Sequence, residues 1–391
     1  MDFAKRMEPF GTAIFAALNQ ERRAMEQTGR RVIDLSVGTP NVPPAPHIIE
    51  AMGKATLDAG NYVYAIQDLP ELQESVAAWY SRRYGVALDP RTEVSSLLGS
   101  QDGLAHISLT LVNPGDTVLV PNPGYPIFSA GPSLAGAKLV TMPQTKENGY
   151  IIDLDAIDPV DARAAKLMIV SYPNNPVTSV AGPEFYEKLV DFAHRYDIAV
   201  LHDNAYSELA FDGLRCGSFL AYPGAMEIGV EFNSLSKSYG MAGARAGFAL
   251  GNAEIIGKLK LLKSNIDYGI FIPIQRGAMA ALDGPQECVK ATAAVYQRRR
   301  DLLVDGLNAA GWKIEKPKAT MFVWAQIPQG WESSMAFCME LMRRTGVIMV
   351  PGSSFGSLGE GFVRIALVQE DQAIAEAVQN IQASGMAHSR A

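Results

Sequence analysis

The stretch that decides the fold covers residues 228–250 and reads IGVEFNSLSKSYGMAGARAGFAL. It begins with a strand-like apolar run at 228–232, crosses a turn of small residues, and ends in a second strand-like run at 247–250. The turn carries Lys237 between serines, and Arg245 follows it. An amine in a confined site can lose its proton and attack an aldehyde, while an arginine beside two serines suits a phosphate. A small molecule that carries both an aldehyde and a phosphate is pyridoxal 5′-phosphate (PLP). A bare S-x-S-K is most often an exposed loop, so the prediction of a PLP site needs support from the rest of the chain.

Composition and charge argue against several classes of protein. The 391 residues are 48% hydrophobic and 19% charged, as in a globular protein with two domains or one large α/β core. The net charge of −7 argues against a nucleic-acid partner, and no apolar run approaches the roughly 18 residues of a membrane span. The first residues lack a signal pattern, and three distant cysteines fit a reduced compartment, so we expect a cytoplasmic protein without a metal site.

Short apolar segments alternate with helical patterns through most of the chain, bounded by glycine and proline. This alternation indicates an α/β fold with a mostly parallel sheet that helices cover on both faces. The seven strands predicted for the sheet cover residues 93–98, 117–120, 138–142, 167–171, 198–201, 228–232 and 247–250. The helices predicted around them cover residues 47–57, 69–84, 102–112, 184–195 and 255–310, the last with an interruption near 268–273.

The C-terminal part has a different pattern, which indicates a smaller α+β domain. Its predicted elements are strands at 321–326, 347–350 and 362–365, and helices at 333–345 and from 370. The N-terminal part contains an amphipathic helix at 12–28 and a short strand at 32–37, and we expect it to pack onto the smaller domain. The predicted organisation is a large PLP-binding domain at 48–290 and a small domain formed by 1–47 and 291–391.

Two turns at predicted strand ends suit the phosphate and the ring of PLP, because ligands of open α/β sheets bind at the carboxyl ends of strands. Ser100 and Gln101 lie in the turn G-S-Q-D-G, where backbone N–H groups and a hydroxyl can approach a phosphate. The turn is not G-x-G-x-x-G, which counts against a nicotinamide cofactor. Tyr125, between prolines in P-N-P-G-Y-P, could stack on the pyridine ring, but a packed tyrosine in a structural turn is equally expected.

Two further turns offer partners for the ring heteroatoms. Asn175 could donate a hydrogen bond to the ring 3-oxygen, although a turn of asparagine and proline needs no ligand. Asp203 ends an apolar strand, where a carboxylate is costly unless it meets a cation such as a protonated pyridine nitrogen. That pairing would make the ring an electron sink. Tyr206 could also reach the 3-oxygen, and we expect the neighbouring His202 to be structural.

One arginine lies inside an apolar segment of the C-terminal part. Residues 362–366 read FVRIA, and Arg364 needs an anionic partner within this surrounding. Its planar guanidinium matches a carboxylate bidentately. The sequence leaves two possible partners for Arg364: the α-carboxylate of a substrate, or an Asp or Glu of the chain itself.

Taken together and in this order, the segments resemble the class I aminotransferases of PLP fold type I, from about 32 to 368. The resemblance implies that Lys237 is the Schiff-base lysine and proton shuttle, that Asp203 pairs with the pyridine nitrogen, and that Tyr206 contacts the ring oxygen. The cofactor-binding residues it implies are Ser100, Gln101, Tyr125, Asn175, Asp203, Tyr206, Ser234, Ser236, Lys237, Arg245 and Tyr64. The substrate-binding residues it implies are Gly38, Asn175 and Arg364. Tyr64 resembles a tyrosine that reaches the neighbouring site, which implies a homodimer.

Three stretches are similar to the group that contains the LL-diaminopimelate aminotransferases, whose members act on varied amino acids. They are 68–72 (DLPEL), 235–241 (LSKSYGM) and 263–271 (KSNIDYGIF). The donor therefore stays open among LL-diaminopimelate, aspartate, alanine and glutamate types. The chain also departs from the usual family pattern, with Asp68 before L-P-E-L, Val177-Thr178 in place of the T-G of N-P-T-G, Ala244 before the phosphate arginine, and Tyr268 at a position that is usually small.

The predicted function is a two-step transamination between an L-amino acid and a 2-oxo acid. A PLP-dependent β-lyase of the same fold would use the same residues and stays open. A non-catalytic regulatory protein would be expected to have lost Lys237, Asp203 or Arg364, and all three are present.

Overall fold

The computed structural model describes residues 2–8, 10, 13–27 and 29–389. The strands in chain order are β1 Ile33–Asp34, β2 Val94–Leu98, β3 Thr117–Asn122, β4 Lys138–Pro143, β5 Ala165–Ser171, β6 Ala199–Asp203, β7 Gly229–Ser234, β8 Ala246–Gly251, β9 Phe322–Gln326, β10 Val347–Ile348, β11 Val350–Pro351 and β12 Phe362–Ala366. The helices are α1 Ala13–Gln27, α2 Pro46–Thr56, α3 Pro70–Tyr84, α4 Ser100–Leu111, α5 Ile127–Leu134, α6 Pro159–Ala164, α7 Pro183–Tyr196, α8 Ala225–Ile228, α9 Leu235–Ser238, α10 Ala253–Ile266, α11 Ile272–Asp283, α12 Glu287–Ala309, α13 Ser334–Thr345 and α14 Asp371–Ser384.

The largest sheet has seven strands in the order β2-β8-β7-β6-β5-β3-β4. Only β8 runs antiparallel to its neighbours, and the other pairs in the sheet are parallel. Successive residues of β3 pack into different clusters: Leu119 faces the side of α3 and α7, whereas Val118 and Val120 face the side of α4. Both faces of the sheet are therefore covered, as a parallel sheet requires. The predicted α/β fold with a mostly parallel seven-stranded sheet is confirmed.

The parallel strands direct their carboxyl ends to one edge of this sheet. β5 ends at Ser171, β6 at Asp203 and β7 at Ser234, and β2 leads through Gly99 into α4. The turns that follow these strands are the ones that carry the predicted site residues. Strand pairing alone thus gathers groups that are far apart in sequence.

A smaller antiparallel sheet, β11-β12-β9, and the parallel pair β1-β10 lie in the C-terminal part. The pair joins the N-terminal segment to this part, because Ile33 is opposite Val347. The strand predicted at 347–350 is divided at Met349, since its first half pairs with β1 and its second half with β12. One short segment therefore serves two sheets.

The predicted domain limits fall inside continuous helices. The limit at 47/48 lies in the first turn of α2, and the limit at 290/291 lies in the first turn of α12. A hydrophobic cluster that includes Leu18 and Leu35 together with Leu303 and Ile365 links the N-terminal and C-terminal parts. The division into 48–290 on one side and 1–47 with 291–391 on the other stays a prediction.

The helical predictions differ from the structure in several places, and the short helices α6, α8 and α9 were not predicted. The region predicted at 255–310 is broken a second time at 284–286, where Gly284 leaves the helical conformation and Pro285 lacks an N–H. The helix α5 was not predicted, because Pro132 and Gly131 within it signal a turn. For α1, the predicted end residues Thr12 and Thr28 lie outside the described residues. Among those described, no helix is both long and apolar enough to cross a membrane.

Candidate active site

A cavity of about 280 Å³ opens at the carboxyl edge of the large sheet. The predicted site residues that line it are Gly38, Ser100, Gln101, Tyr125, Asn175, Asp203, Tyr206, Ser234, Ser236, Lys237, Arg245 and Arg364. Tyr64 is the predicted site residue that lies elsewhere, and it is 82% exposed. The lining residues that sequence reasoning missed are Thr39, Leu104, Ala205 and Phe322.

Lys237 lies on the short helix α9, directly after β7. The hydroxyl of Ser234 caps this helix by accepting a hydrogen bond from the Ser236 N–H at 3.1 Å. The Lys237 Nζ donates to the carbonyl of Gly38 at 3.2 Å. Burial lowers the pKa of Lys237 to about 8, with further lowering by the charges of Arg364 and Arg245. A substantial neutral fraction is therefore available for nucleophilic attack near neutral pH.

Asp203 ends β6 with its carboxylate buried. Burial raises the pKa of Asp203 to about 6, although the charges of His202 and Lys237 lower it in part. Its Oδ1 has no hydrogen-bond partner among the described residues. A buried carboxylate oxygen without a partner is costly, and a protonated pyridine nitrogen would remove this cost.

Arg364 lies on β12 and is buried between two aromatic rings. Its guanidinium carbon is 4.2 Å from the ring centroid of Phe322 and 4.7 Å from that of Phe355. Its two terminal nitrogens donate to the Asn175 Oδ1 and the Ser36 carbonyl, both at 3.0 Å, while its Nε has no partner in the part of the chain that the structure describes. Burial lowers the pKa of Arg364 to about 10, so the side chain stays cationic at neutral pH.

No Asp or Glu among the described residues forms an ion pair with Arg364. The internal partner that the sequence left open is therefore not found there. An unpaired buried guanidinium next to Lys237 is suited to an external carboxylate. Phe322 was missed because an apolar residue within an apolar strand carries no functional signal.

The serine, glycine and arginine residues at one end of the cavity form a cradle suited to phosphate. Ser234 Oγ lies 2.9 Å from Ser236 Oγ, and Ser100 begins α4. Gly99 has φ +77°, and a Cβ at this position would lie 2.3 Å from the Arg245 Nη2. Only glycine at residue 99 lets Arg245 reach the helix N-terminus, where N–H groups and the helix dipole favour an anion.

Tyr125, Tyr206 and Asn175 also line the cavity. The Tyr125 hydroxyl donates to the Gln101 Oε1 at 3.1 Å. The ring of Tyr206 packs edge-on against Phe322 with centroids 5.9 Å apart. Burial raises the pKa of Tyr206 far above its usual value, so its hydroxyl keeps its proton and can donate a hydrogen bond.

These residues fit PLP. The partnerless Asp203 Oδ1 suits the ring nitrogen, the Gly99 cradle suits the phosphate, and the amine of Lys237 suits the aldehyde. Asn175 and Tyr206 are in the lining and would supply hydrogen-bond donors for the ring oxygen, and Tyr125 is an aromatic group that could stack on the ring.

The departures from the family pattern at Asp68, Tyr268 and Thr178 lie in three different environments. The carboxylate of Asp68 accepts a hydrogen bond from the Ser96 N–H at 2.8 Å, which holds it at β2. Tyr268 has φ +62° and packs against Tyr64 with ring centroids 5.9 Å apart. Thr178 also has a positive φ of +62°. A left-handed conformation is unfavourable for a β-branched residue, which explains why glycine suits this position.

We expect the amine of Lys237 to react with an aldehyde at a lower pH than an ordinary lysine. Lowering the pKa from 10.5 to about 8 leaves the amine neutral above about pH 8 instead of above about pH 10.5. The protein without cofactor would be mixed with pyridoxal at a series of pH values and trapped with borohydride, and the labelled lysine quantified by mass spectrometry. Nα-acetyl-lysine is the matched control, and Lys237→Arg removes the labelled site. Equal pH profiles for the protein and the control would contradict the lowered pKa.

Replacing Thr178 with glycine should stabilise the fold. The substitution removes the left-handed strain of a β-branched residue, roughly 1–2 kcal/mol, against about 0.4–1 kcal/mol of added freedom in the unfolded chain. Chemical denaturation should therefore give Thr178→Gly a higher free energy of unfolding than the wild type. Ser179→Gly in the same turn is the control: this residue has no positive φ and its hydroxyl bonds the Tyr150 carbonyl, so it should lose stability. A loss in both variants would show that strain at Thr178 is negligible.

Comparisons with known proteins identify the family of the chain. The family model described as aminotransferase class I and II matches residues 30–381. An LL-diaminopimelate aminotransferase of Moorella thermoacetica is 44% identical over 383 residues, which cover 98% of each chain. The solved structure of substrate-bound BacF from Bacillus subtilis superimposes with a TM-score of 0.93 at 38% identity, again covering 98% of both chains.

A third comparison extends the likeness to a thermophile. The structure of a probable N-succinyldiaminopimelate aminotransferase from Thermus thermophilus has a TM-score of 0.90 at 36% identity and covers 95% of this chain and 100% of that one. Members of this family use PLP and take amino acids and 2-oxo acids as substrates. The chain therefore belongs to the class I and II aminotransferases, and it is a PLP-dependent aminotransferase of fold type I.

Proposed function

We propose that the chain transfers the amino group of LL-diaminopimelate to a 2-oxo acid, with the cavity residues in the roles that their chemistry suits. Three groups that lack a partner for their chemistry line the same cavity, and this observation supports the roles. They are the amine of Lys237, the Asp203 Oδ1 without a hydrogen-bond partner among the described residues, and Arg364, which forms no ion pair with a carboxylate there. The name of the Moorella relative supports LL-diaminopimelate as the donor. Aspartate, alanine and glutamate are the competing donors.

PLP, when bound, supplies an electron sink that stabilises negative charge at the substrate α-carbon. Arg364 binds the α-carboxylate and so aims the α-carbon at Lys237. The free amine of Lys237 takes the α-proton and returns it one step later, which is general base and then general acid catalysis by one group. Its lowered pKa suits both directions, because the two protonation states are close in free energy near neutral pH.

The other roles concern holding the cofactor. Asp203 keeps the proton on the ring nitrogen, and Tyr206 and Asn175 donate hydrogen bonds to the ring oxygen. Tyr125 covers one face of the ring. The phosphate is held by Ser100, Gln101, Ser234, Ser236 and Arg245.

The exposed aromatic residues near Tyr64 support a homodimer in which Tyr64 reaches the partner's cavity. Tyr62, Val63, Tyr64 and Ile66 are all more than half exposed. Tyr64 packs on Tyr268 alone among the described rings and is 82% exposed. An exposed strip of this kind commonly marks a protein interface. Three free cysteines support a cytoplasmic location, which we also propose.

The donor can be named by single-turnover spectroscopy. PLP-loaded protein would be mixed with one amino acid at a time, without an acceptor, and the absorption spectrum followed. LL-diaminopimelate should convert the bound cofactor to pyridoxamine phosphate at least roughly tenfold faster than aspartate, alanine or glutamate, since a tenfold ratio needs only about 1.4 kcal/mol of differential binding. Conversion by another donor would reassign the substrate. Cleavage of an amino acid without pyridoxamine phosphate would indicate a β-lyase.

The shared site can be tested by mixing two inactive variants. Lys237→Ala and Tyr64→Ala should each have low activity as homodimers. After subunit exchange, a mixed dimer has one cavity with both Lys237 and Tyr64 intact, so it should regain about half the wild-type activity per dimer. If Tyr64 acts within its own subunit, neither cavity of a mixed dimer is complete, and no activity returns. Lys237→Ala mixed with Lys237→Arg is the control and should stay inactive.

A further inference from the structure

Glu231 lies on β7 with a fully buried carboxylate, and it does not line the cavity. The carboxylate accepts hydrogen bonds from the Tyr80 hydroxyl at 2.9 Å, the Asn204 Nδ2 at 3.0 Å and the Phe219 N–H at 2.8 Å. The His202 Nδ1 lies 2.9 Å from Oε2, the oxygen that also accepts from the Phe219 N–H, and it therefore carries a proton. Four donors around one carboxylate satisfy a charge that would otherwise be very costly to bury.

Two of these donors flank Asp203 in the chain. Side chains alternate along a strand, so His202 and Asn204 lie on the face opposite to Asp203. His202 is directly opposite Glu231 in the β6–β7 pairing, and the Asn204 N–H continues that pairing to the Phe232 carbonyl at 2.8 Å. One carboxylate thus holds both neighbours of Asp203, which fixes the side of the strand on which Asp203 emerges.

A third donor leads to the phosphate end of the cavity. The Tyr80 hydroxyl accepts a hydrogen bond from the Asn233 Nδ2 at 3.1 Å, and the Asn233 Oδ1 accepts one from the Ser234 N–H at 2.7 Å. Burial raises the pKa of Tyr80 well above its usual value, so its hydroxyl remains a donor toward Glu231. A continuous buried path therefore joins Glu231 to Ser234, whose hydroxyl contacts Ser236.

We propose that Glu231 is a positioning residue that holds both ends of the PLP cradle in register. One arm acts on the ring end through His202 and Asn204, and the other acts on the phosphate end through Tyr80. The inference rests on the roles proposed for Asp203 and Ser234. It differs from a general contribution to stability because it links each arm to a different part of the cofactor.

The two arms can be separated with two fragments of the cofactor. Pyridoxal probes the ring end and inorganic phosphate probes the other end, each titrated into the protein without cofactor. Glu231→Gln should weaken both by about tenfold or more, since loss of a hydrogen bond to a charged group costs about 1.5–3 kcal/mol. Tyr80→Phe should weaken phosphate about tenfold and leave pyridoxal within about twofold, because it breaks only the second arm.

Tyr186→Phe is the matched control. The Tyr186 hydroxyl contacts the other nitrogen of His202 at 3.3 Å and does not touch Glu231. This variant removes a buried hydroxyl from the same region while all four donors to Glu231 remain. Both dissociation constants should stay within about twofold of the wild type.

Several results would overturn the inference. Lower thermal stability of Glu231→Gln with both dissociation constants unchanged would leave Glu231 a structural role only. Equal weakening of both fragments by Tyr80→Phe would contradict separate arms. If Glu231→Gln does not fold, Asn204→Ala decides together with Tyr80→Phe, and it should weaken pyridoxal but not phosphate. If the wild type binds neither fragment, the proposed cavity roles fail as well, whereas unchanged variants of a binding wild type overturn the positioning role alone.

Discussion

The parallel pairing of β5, β6 and β7 is the constraint on which the site depends. It places Ser171, Asp203 and Ser234 at one edge of a sheet, although long stretches of chain separate them. The crossovers that parallel pairing requires supply the helices that bury the sheet on both faces. The same pairing sets His202 opposite Glu231, so the register that closes the core also fixes where the carboxylate of Asp203 emerges.

The charged residues Asp203, Lys237 and Arg364 line the cavity, and no ion pair is found for them among the described residues. Asp203 and Arg364 are both buried, neither is paired with the other, and each keeps one polar atom without a partner among the described residues. Burial also moves the pKa of Lys237 and the pKa of Asp203 toward neutrality, from opposite directions. Such groups weaken the folded state and are retained where a ligand completes them.

Much of the fold and most of the site could be predicted because the relevant residues are chemically conspicuous. An arginine in an apolar strand or an aspartate at the end of a buried strand places a charge where burial is costly without a partner. Such a residue therefore indicates a functional site in the sequence. Phe322 agrees with its surroundings, so only the three-dimensional packing against Arg364 distinguishes it. The helix α5 was not predicted because Pro132 locally indicates a turn. Its contacts with α4 favour a helix, and these contacts exist only in the folded structure. Tyr64 lies away from the cavity, and its predicted role at a neighbouring site stays a prediction.

The segment 36–38 contacts Arg364 and Lys237, two of the cationic side chains of the cavity, through its backbone. The Ser36 carbonyl accepts from Arg364 and the Gly38 carbonyl accepts from Lys237, while the adjoining strand β1 is held by β10. A Cβ on Gly38 would lie 2.7 Å from the ring of Phe322, so only glycine lets the backbone pass this close to the ring that lines the cavity. The segment is thereby a mechanical link between the two groups. In the proposed roles, a displacement of these three residues would change the binding of the substrate carboxylate and the freedom of the proton-carrying amine in the same movement.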